Sequence, residues 1–156
     1  MRTLVALVLI DAWMHCWHRA NHELSFLWRL HRTHHTDRDL DASSAFRFHP
    51  GEVLLSGLLR LGVIGVTGVG MGHLLLYEAI LIPVILVHHG NIRLPGLLER
   101  GLRWMIVTPG MHHLHHLRVP EETDSNYSSV FSWWNRVGGT FREPRSDTPV
   151  TFGLEG

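Results

Sequence analysis

The longest apolar stretch of the chain lies in its middle. Residues 53–87 read VLLSGLLRLGVIGVTGVG followed by MGHLLLYEAILIPVILV. One straight helix of this length would measure about 50 Å, well beyond a hydrocarbon core of roughly 30 Å. Glycines at 68, 70 and 72 interrupt the stretch near its centre. The pattern therefore predicts an apolar hairpin of two short helices at about 53–87.

A second apolar run stands at the beginning of the chain. Residues 3–10, TLVALVLI, continue as a helical pattern through Asp11 and His15. The run is too short to cross a bilayer alone, so it predicts a half-span or the end of a longer helix. A signal peptide is the competing interpretation, because Arg2 precedes the run. It is disfavoured because the bulky stretch DAWMHCWH follows where small residues mark a cleavage site.

The hairpin brings residue 88 back to the side on which residue 52 lies. The segments on that side carry most of the arginines, and the positive-inside rule therefore predicts that this face is cytoplasmic. These arginines are Arg19, Arg29, Arg32, Arg38, Arg47, Arg93, Arg100 and Arg103. The alternative is a soluble helical protein, because Arg60 and Glu78 interrupt the apolar stretch and the overall hydropathy is low.

The remaining segments complete a prediction of an all-α fold. A short helix, a turn at Pro109 and Gly110, a polar loop and an aromatic amphipathic piece follow the hairpin. We predict a membrane-associated helical bundle with an apolar helical hairpin and a cytoplasmic, histidine-rich, metal-binding cap. The prediction is one domain at 1–145 and a C-terminal tail at 146–156.

Composition narrows the chemistry of the cap. The 14 cationic side chains, all Arg, balance 14 acidic ones, so no basic face indicates a nucleic-acid partner. The single Cys16 excludes an internal disulfide and a thiolate cluster. The chain also holds 14 histidines, as many as all its cationic residues together.

The histidines recur in a regular pattern. The sequence His-x-x-His-His occurs at 31–35 and again at 112–116, and its i, i+3 and i+4 positions share one face of a helix. Three such imidazoles could converge on one metal from a single helical surface. His18 and His22 form an i, i+4 pair, and His88 and His89 follow the hairpin. A solvated histidine-rich surface is the simpler interpretation, but imidazoles packed this densely repel one another on protonation, which favours a bound cation.

The ligand types restrict the metal. Imidazole suits Zn, Cu, Fe and Ni. The candidates are too many for one four-coordinate ion and fit two metals, each with an open position. Two irons with nitrogen ligands and open coordination positions at a membrane surface would form an O2-activating site. In such a site the metal performs the chemistry and the protein positions its ligands.

Six stretches, in this order and spacing, resemble the fatty acid hydroxylase and sterol desaturase superfamily of integral-membrane histidine-box di-iron oxygenases. They are HRANH, LWRLHRTHH, AFRFHPGE, HHGNIRLP, TPGMHHLHH and TDSNYSSVFSWWNRVGGTF. The resemblance runs from about Asp11 to Arg142. It implies two non-haem Fe ions, O2 as co-substrate, and a lipid or sterol substrate that is hydroxylated or desaturated. It also implies a separate electron-donor protein.

The resemblance assigns the site residue by residue. The implied metal ligands are His18, His22, His31, His34, His35, His88 or His89, His112, His115 and His116. The family's His-x-Asn motif falls on His89 and Asn91, and His88 is the alternative ligand. Residues expected to support the ligands are His49, Asn91, Asp11, Asp124 and Asn126. For Asp11, a polar contact on the helix face is an equal alternative. His113 is expected beside the site or at the surface, His73 is expected to be structural, and no catalytic residue beyond the metal centre is assigned.

The chain departs from the family pattern at three places. Ser128 stands where Gly is usual after Asn-Tyr, and Asn135 stands where Asp is usual. Members generally carry further membrane helices before the first box, so the chain is expected to be a short member, a fragment, or a chain with a late assigned start. The metal boxes are unaffected by these departures.

Three functions remain. The first is an O2-dependent di-iron oxygenase acting on a lipid or sterol C–H bond. Its electrons would come from a small cytochrome or a ferredoxin with its reductase, because the chain has no haem-attachment, ferredoxin or nicotinamide-binding motif. The second is a non-catalytic or truncated metal-binding member. The third is a zinc-dependent membrane hydrolase with Glu52 or Glu121 as the base.

Overall fold

The computed structural model describes residues 1–143 and 150–154. Within these ranges the chain is helical and contains no β-strand, which confirms the all-α prediction. The helices are α1 (Arg2–Glu23), α2 (Ser25–His31), α3 (Pro50–Thr67), α4 (Met71–His89), α5 (Gly96–Leu102), α6 (Pro109–His115), α7 (Pro120–Thr123) and α8 (Trp133–Val137). Two short 3-10 helices, His34–Thr36 and Ala42–Phe46, connect α2 to α3.

The predicted apolar hairpin is formed by α3 and α4. Gly68 follows the last residue of α3 and caps the helix. Its φ of 67° is the left-handed conformation that glycine adopts without a Cβ clash. At its other end, Pro50 occupies the first turn and the His49 side chain accepts a hydrogen bond from the Gly51 N–H at 3.0 Å. The histidine-rich ends of both helices therefore lie on the same side of the hairpin.

Both hairpin helices are long and apolar enough to cross a membrane. Their apolar side chains are mostly exposed rather than packed inside the protein, with Val66 at 89% and Leu54 at 66% exposure on α3. So large an exposed apolar surface is typical of a membrane-facing helix. The fold is a membrane-associated helical bundle with a histidine-rich cap, as predicted.

The carboxylate of Asp11 joins α1 to α4, to the residues just before α8 and to α8 itself. It accepts hydrogen bonds from the Tyr77 hydroxyl, from the backbone N–H groups of Val130 (3.2 Å) and Phe131 (3.0 Å), and from the Trp134 indole N–H (3.0 Å). A small apolar cluster that includes Ile10 surrounds this contact. Asp11 is therefore a structural junction of the fold.

The domain boundary predicted at 145/146 falls within residues 144–149, which lie outside the described residues. Residues 150–154 pack on the cap: the Arg118 N–H donates to the Thr151 carbonyl at 2.8 Å, and Leu117 and Phe152 form an antiparallel bridge. The division into a domain and a tail stays a prediction.

Replacing the Asp11 carboxylate should destabilise the fold. Asp11→Ala leaves buried donors without an acceptor, at a cost of about 1–3 kcal/mol for each donor that water does not reach. We expect a clearly lower Tm in detergent for Asp11→Ala, with Asp39→Ala at an exposed position as the control. Equal melting temperatures for the two variants would show that Asp11 joins nothing essential.

Candidate metal centre

Nine histidines form two neighbouring groups, and within each group the ligand atoms lie within 4.8 Å of one another. The first histidine group is His18, His22, His31, His35 and His115. The second histidine group is His34, His89, His112 and His116. The structure thus brings together ring nitrogens from five separate segments of the chain.

Each His-x-x-His-His box divides between the two groups. In the first box a 3-10 turn separates the adjacent rings, so His35 enters the first group and His34 the second. In the second box, on α6, His115 enters the first group, whereas His112 and His116 enter the second. The structure therefore distributes the imidazoles of each box over both groups, because adjacent rings on a helix diverge by about 100°.

Fixed acceptors orient the imidazoles of the first group. Four Nδ1 atoms face an oxygen that can only accept, so Nδ1 carries the proton and Nε2 keeps its lone pair. The pairs are His18 with the Tyr127 carbonyl (2.9 Å), His22 with Asp124 (3.1 Å), His31 with Glu52 (2.8 Å) and His115 with the Ser125 carbonyl (2.8 Å). The Nε2 atoms of these four residues are buried and have no hydrogen-bond partner among the described residues. Orphaned lone pairs backed by such acceptors are the usual arrangement of metal-binding histidines.

The second group shows the same preparation in another form. His34 Nδ1 donates to the Arg47 carbonyl at 3.3 Å, and His89 Nδ1 donates to the Ile85 carbonyl at 2.8 Å. Their Nε2 atoms, both lone pairs, then face each other at 3.2 Å. Two facing lone pairs repel unless a cation lies between them, so this geometry fits a bound metal ion.

Burial favours the neutral form of seven of these imidazoles, namely His18, His22, His34, His35, His112, His115 and His116. Desolvation lowers the pKa of His18, His34 and their neighbours outside the apolar hairpin well below the usual value, and repulsion between neighbouring histidines lowers it further. Burial lowers the pKa of His115 to about 3. Metal binding requires the neutral ring, so the pocket holds its ligands in the form that binds.

His88 and His89 occupy different positions. His89 belongs to the second group, whereas His88 lies outside both groups. The His88 ring stacks on His112 at 3.9 Å between centroids, and both its ring nitrogens are buried with no partner in the described part of the chain. The geometry therefore favours His89 of the two alternatives.

Two of the predicted supporting residues contact the site. The Asp124 carboxylate accepts a hydrogen bond from the His22 ring and orients it. Asn126, at a positive φ of 53°, donates to the Met111 carbonyl on α6 at 3.3 Å and accepts from the Arg142 N–H at 3.1 Å. It therefore contacts the helix that carries the last box.

The other predicted supporting residues lie elsewhere. Asn91 is exposed just after α4, His49 caps α3, and Asp11 joins α1 to α4 rather than orienting a ligand ring. His113 lies beside the site and donates to the Gly90 carbonyl at 3.0 Å. His73 is half-buried on α4, outside both histidine groups.

Sequence reasoning missed five of the six acceptors that orient the ligands. They are the Glu52 carboxylate and the backbone carbonyls of Arg47, Ile85, Ser125 and Tyr127. Glu52 was considered only as a hydrolytic base, yet it lies 4% exposed against His31. Its position in the first turn of an apolar helix was an available signal, because a carboxylate there needs a partner. The four backbone carbonyls carry no sequence signal, since every residue has one.

Comparisons with known proteins identify the family of the chain. The family model described as fatty acid hydroxylase matches residues 3–140. The chain belongs to the fatty acid hydroxylase family. The resemblance drawn from the histidine boxes is thereby confirmed.

Relatives of this family member include three named lipid enzymes. It is 32% identical to alkylglycerol monooxygenase of Danio rerio over 96% of the chain and 32% of that protein. It is 26% identical to ornithine lipid hydroxylase OlsE of Rhizobium tropici (99% and 46%), and 28% identical to human lathosterol oxidase (90% and 44%). The chain therefore spans less than half the length of each of these relatives. No solved structure matches the chain.

Single substitutions in the neighbours His34 and His35 should affect different metals. If each histidine group holds one ion, His35→Ala should release the ion of the first group and His34→Ala that of the second. Each variant should then retain roughly one ion per chain instead of two, because each substitution removes one imidazole from one set. The measurement is iron and zinc content of detergent-purified protein by mass spectrometry. His73→Ala is the control and should keep the full content. Simultaneous loss of both ions in each variant would contradict two separable sites.

Proposed function

We propose that the chain is an oxidoreductase that hydroxylates or desaturates a lipid or sterol C–H bond in the membrane. Two Fe ions, one held by each histidine group, and O2 as co-substrate complete the proposed centre. The observation that carries the proposal is a cavity that has imidazoles of both groups at one end and membrane-helix side chains along its walls.

The cavity has a volume of about 370 Å³, within the range of sites that hold small lipophilic ligands. Its walls come from the facing surfaces of α1, α3 and α4, and include Met14, Trp17, Val53, Leu81 and Ile85. His18, His31, His34, His89 and His112 line the end nearest the cap. A lipid chain in this space would present a C–H bond to the histidine groups.

The relatives point to the same substrate class. Their names describe enzymes acting on an alkylglycerol, an ornithine lipid and lathosterol, all of which are lipids. We carry over from them only the class, a membrane lipid or sterol, because the chain covers less than half of each.

The residues of the chain have defined tasks in this proposal. Bound iron supplies the activation of O2 that side chains cannot perform. The Nδ1 acceptors hold each ring in one tautomer and one orientation, and the apolar walls exclude water from the reacting bond. Hydroxylation puts one oxygen atom of O2 into the lipid and releases the other as water, whereas desaturation releases both as water. Either reaction takes two electrons from a donor protein, for which we propose a small cytochrome or a ferredoxin with its reductase.

The arginine distribution supports a cytoplasmic cap, which the donor protein would reach from that compartment.

The hydrolase alternative is weakened by the positions of its two candidate bases. Glu52 accepts a hydrogen bond from His31 and thereby orients a ligand, and Glu121 is exposed on α7. Glu121 does not line the cavity, and Glu52, which lines it beside the histidines, already has one carboxylate oxygen engaged with His31.

Filling the cavity should abolish lipid oxidation without removing metal. Gly57 lines the cavity and a Cβ there meets no atom within 4 Å, so Gly57→Leu places an isobutyl group in the space proposed for the lipid chain. We expect at least a roughly tenfold loss of product, equivalent to about 1.4 kcal/mol, at unchanged iron content. The reaction is supplied with a chemical reductant in place of the donor protein. The lipids are then extracted and measured for 18O incorporated from 18O2 or for new double bonds.

Gly62→Leu is the matched control, because Gly62 is an exposed position of the same helix where a Cβ also meets no atom within 4 Å. It should retain full activity. Lipid turnover that persists with zinc and without O2 would overturn the oxygenase proposal in favour of hydrolysis. Full iron content with no oxidised lipid would favour the non-catalytic alternative.

A further inference from the structure

The guanidinium of Arg60 is incompletely satisfied. Nη1 forms an ion pair with Glu78 of α4, Nη2 approaches the Met14 thioether at 3.3 Å, and Nε is buried with no partner among the described residues. A guanidinium has five N–H donors, and a thioether is a weak acceptor. Arg60 therefore retains donors for a stronger acceptor, in a helix where an ionisable residue is costly and is by default a functional candidate.

Arg60 lies in the wall of the same cavity as the histidines. On α3 the cavity-lining residues Glu52, Ser56 and Arg60 follow one another at intervals of four and so share a helix face. Glu52 marks the histidine end through its contact with His31. Arg60 is about 12 Å further along the helix at 1.5 Å per residue. The cavity thus has histidines at one end and a cationic side chain further along α3, away from them.

Glu78 determines which acceptor suits this position. Its carboxylate already balances the charge of Arg60, so a second carboxylate or a phosphate would lose its hydration and gain repulsion from Glu78. A neutral oxygen loses far less hydration and can take an unsatisfied N–H of Arg60. The pair therefore favours a hydroxyl, an ether or an ester carbonyl over an anion.

We propose that Arg60 is a specificity-determining residue that donates a hydrogen bond to a neutral oxygen of the lipid substrate. Glu78 positions the guanidinium and disfavours free fatty acids. The inference rests on the proposed function for the meaning of the cavity, but it concerns ligand binding and can be measured without turnover. The simpler role of the pair is to hold α3 against α4, and this role predicts no preference among ligands.

The test measures lipid binding to the zinc-loaded full chain in detergent, where no oxidation occurs. Bromine quenches tryptophan fluorescence and Trp17 lines the cavity, so 9,10-dibromo-octadecanol, the corresponding acid and 9,10-dibromo-octadecane serve as probes. We expect the alcohol to bind about tenfold more tightly than the hydrocarbon, as one charge-assisted hydrogen bond would provide, and more tightly than the acid. Trp17→Phe should reduce the quenching by each probe, which places the probes in the cavity.

Two substitutions separate recognition from helix pairing. Arg60→Gln should remove most of the preference for the alcohol over the hydrocarbon, whereas Glu78→Gln should raise the affinity for the acid several-fold while the alcohol still binds. If Arg60→Gln fails to fold, Arg60→Lys keeps the charge opposite Glu78 and should show a reduced alcohol preference. Unchanged ratios among the three probes in the folded variants would overturn the inference and leave a purely structural pair.

Outcomes for the inference and for the proposed function are distinguishable. Selective binding of the alcohol together with no O2-dependent oxidation by the iron-loaded protein would refute the function and leave Arg60 as a recognition residue. Oxidation of lipids without any difference among the three probes in binding would refute the inference alone.

Discussion

The cap depends on hydrogen bonds that fix the Nδ1 proton of six of the nine histidines in the two groups. Five of these bonds join a ring to a carbonyl or carboxylate of another segment, and the sixth joins His89 to the Ile85 carbonyl of the same helix. Each leaves the Nε2 lone pair directed into its group. Without these bonds the rings could rotate or exchange tautomers, and the neutral imidazoles would form hydrogen bonds with one another. The same bonds connect α2 to α3, and they connect α1 and α6 to the segment that follows α7. Metal geometry and tertiary structure are therefore specified by one set of contacts.

The two histidine groups also explain why the cap can be built on short helices. α2 and α6 have seven residues each and would be unstable as isolated peptides. Their ligand side chains are buried against rings from other segments, so tertiary contact replaces intrinsic helix stability. The metal-free cap carries many uncompensated lone pairs, and any cation that binds there stabilises the folded state by mass action.

The fold and the ligand set were largely predictable from sequence, but their partition was not. Apolar run lengths and the glycines near 70 located the hairpin, and the spacing of the boxes identified the nine imidazoles that meet. Spacing could not show that His34 and His35 separate, because this depends on a 3-10 turn after α2. It also could not show the roles of Asp11 and Asp124, whose partners lie on distant segments. At two departures from the family pattern, the backbone N–H of Ser128 donates to the side-chain carbonyl of Asn135 at 2.9 Å, a contact visible only in three dimensions.

The contact between His18 and the Tyr127 carbonyl spans 109 positions of the chain. During translation the first box leaves the ribosome long before this acceptor has been synthesised, and the same order holds for His22 and Asp124. The early histidines therefore lack these acceptors until the segment after α7 has been synthesised. Metal loading in its final geometry is consequently a late event in biogenesis, and a nascent chain arrested before residue 127 presents histidines without the contacts that orient them.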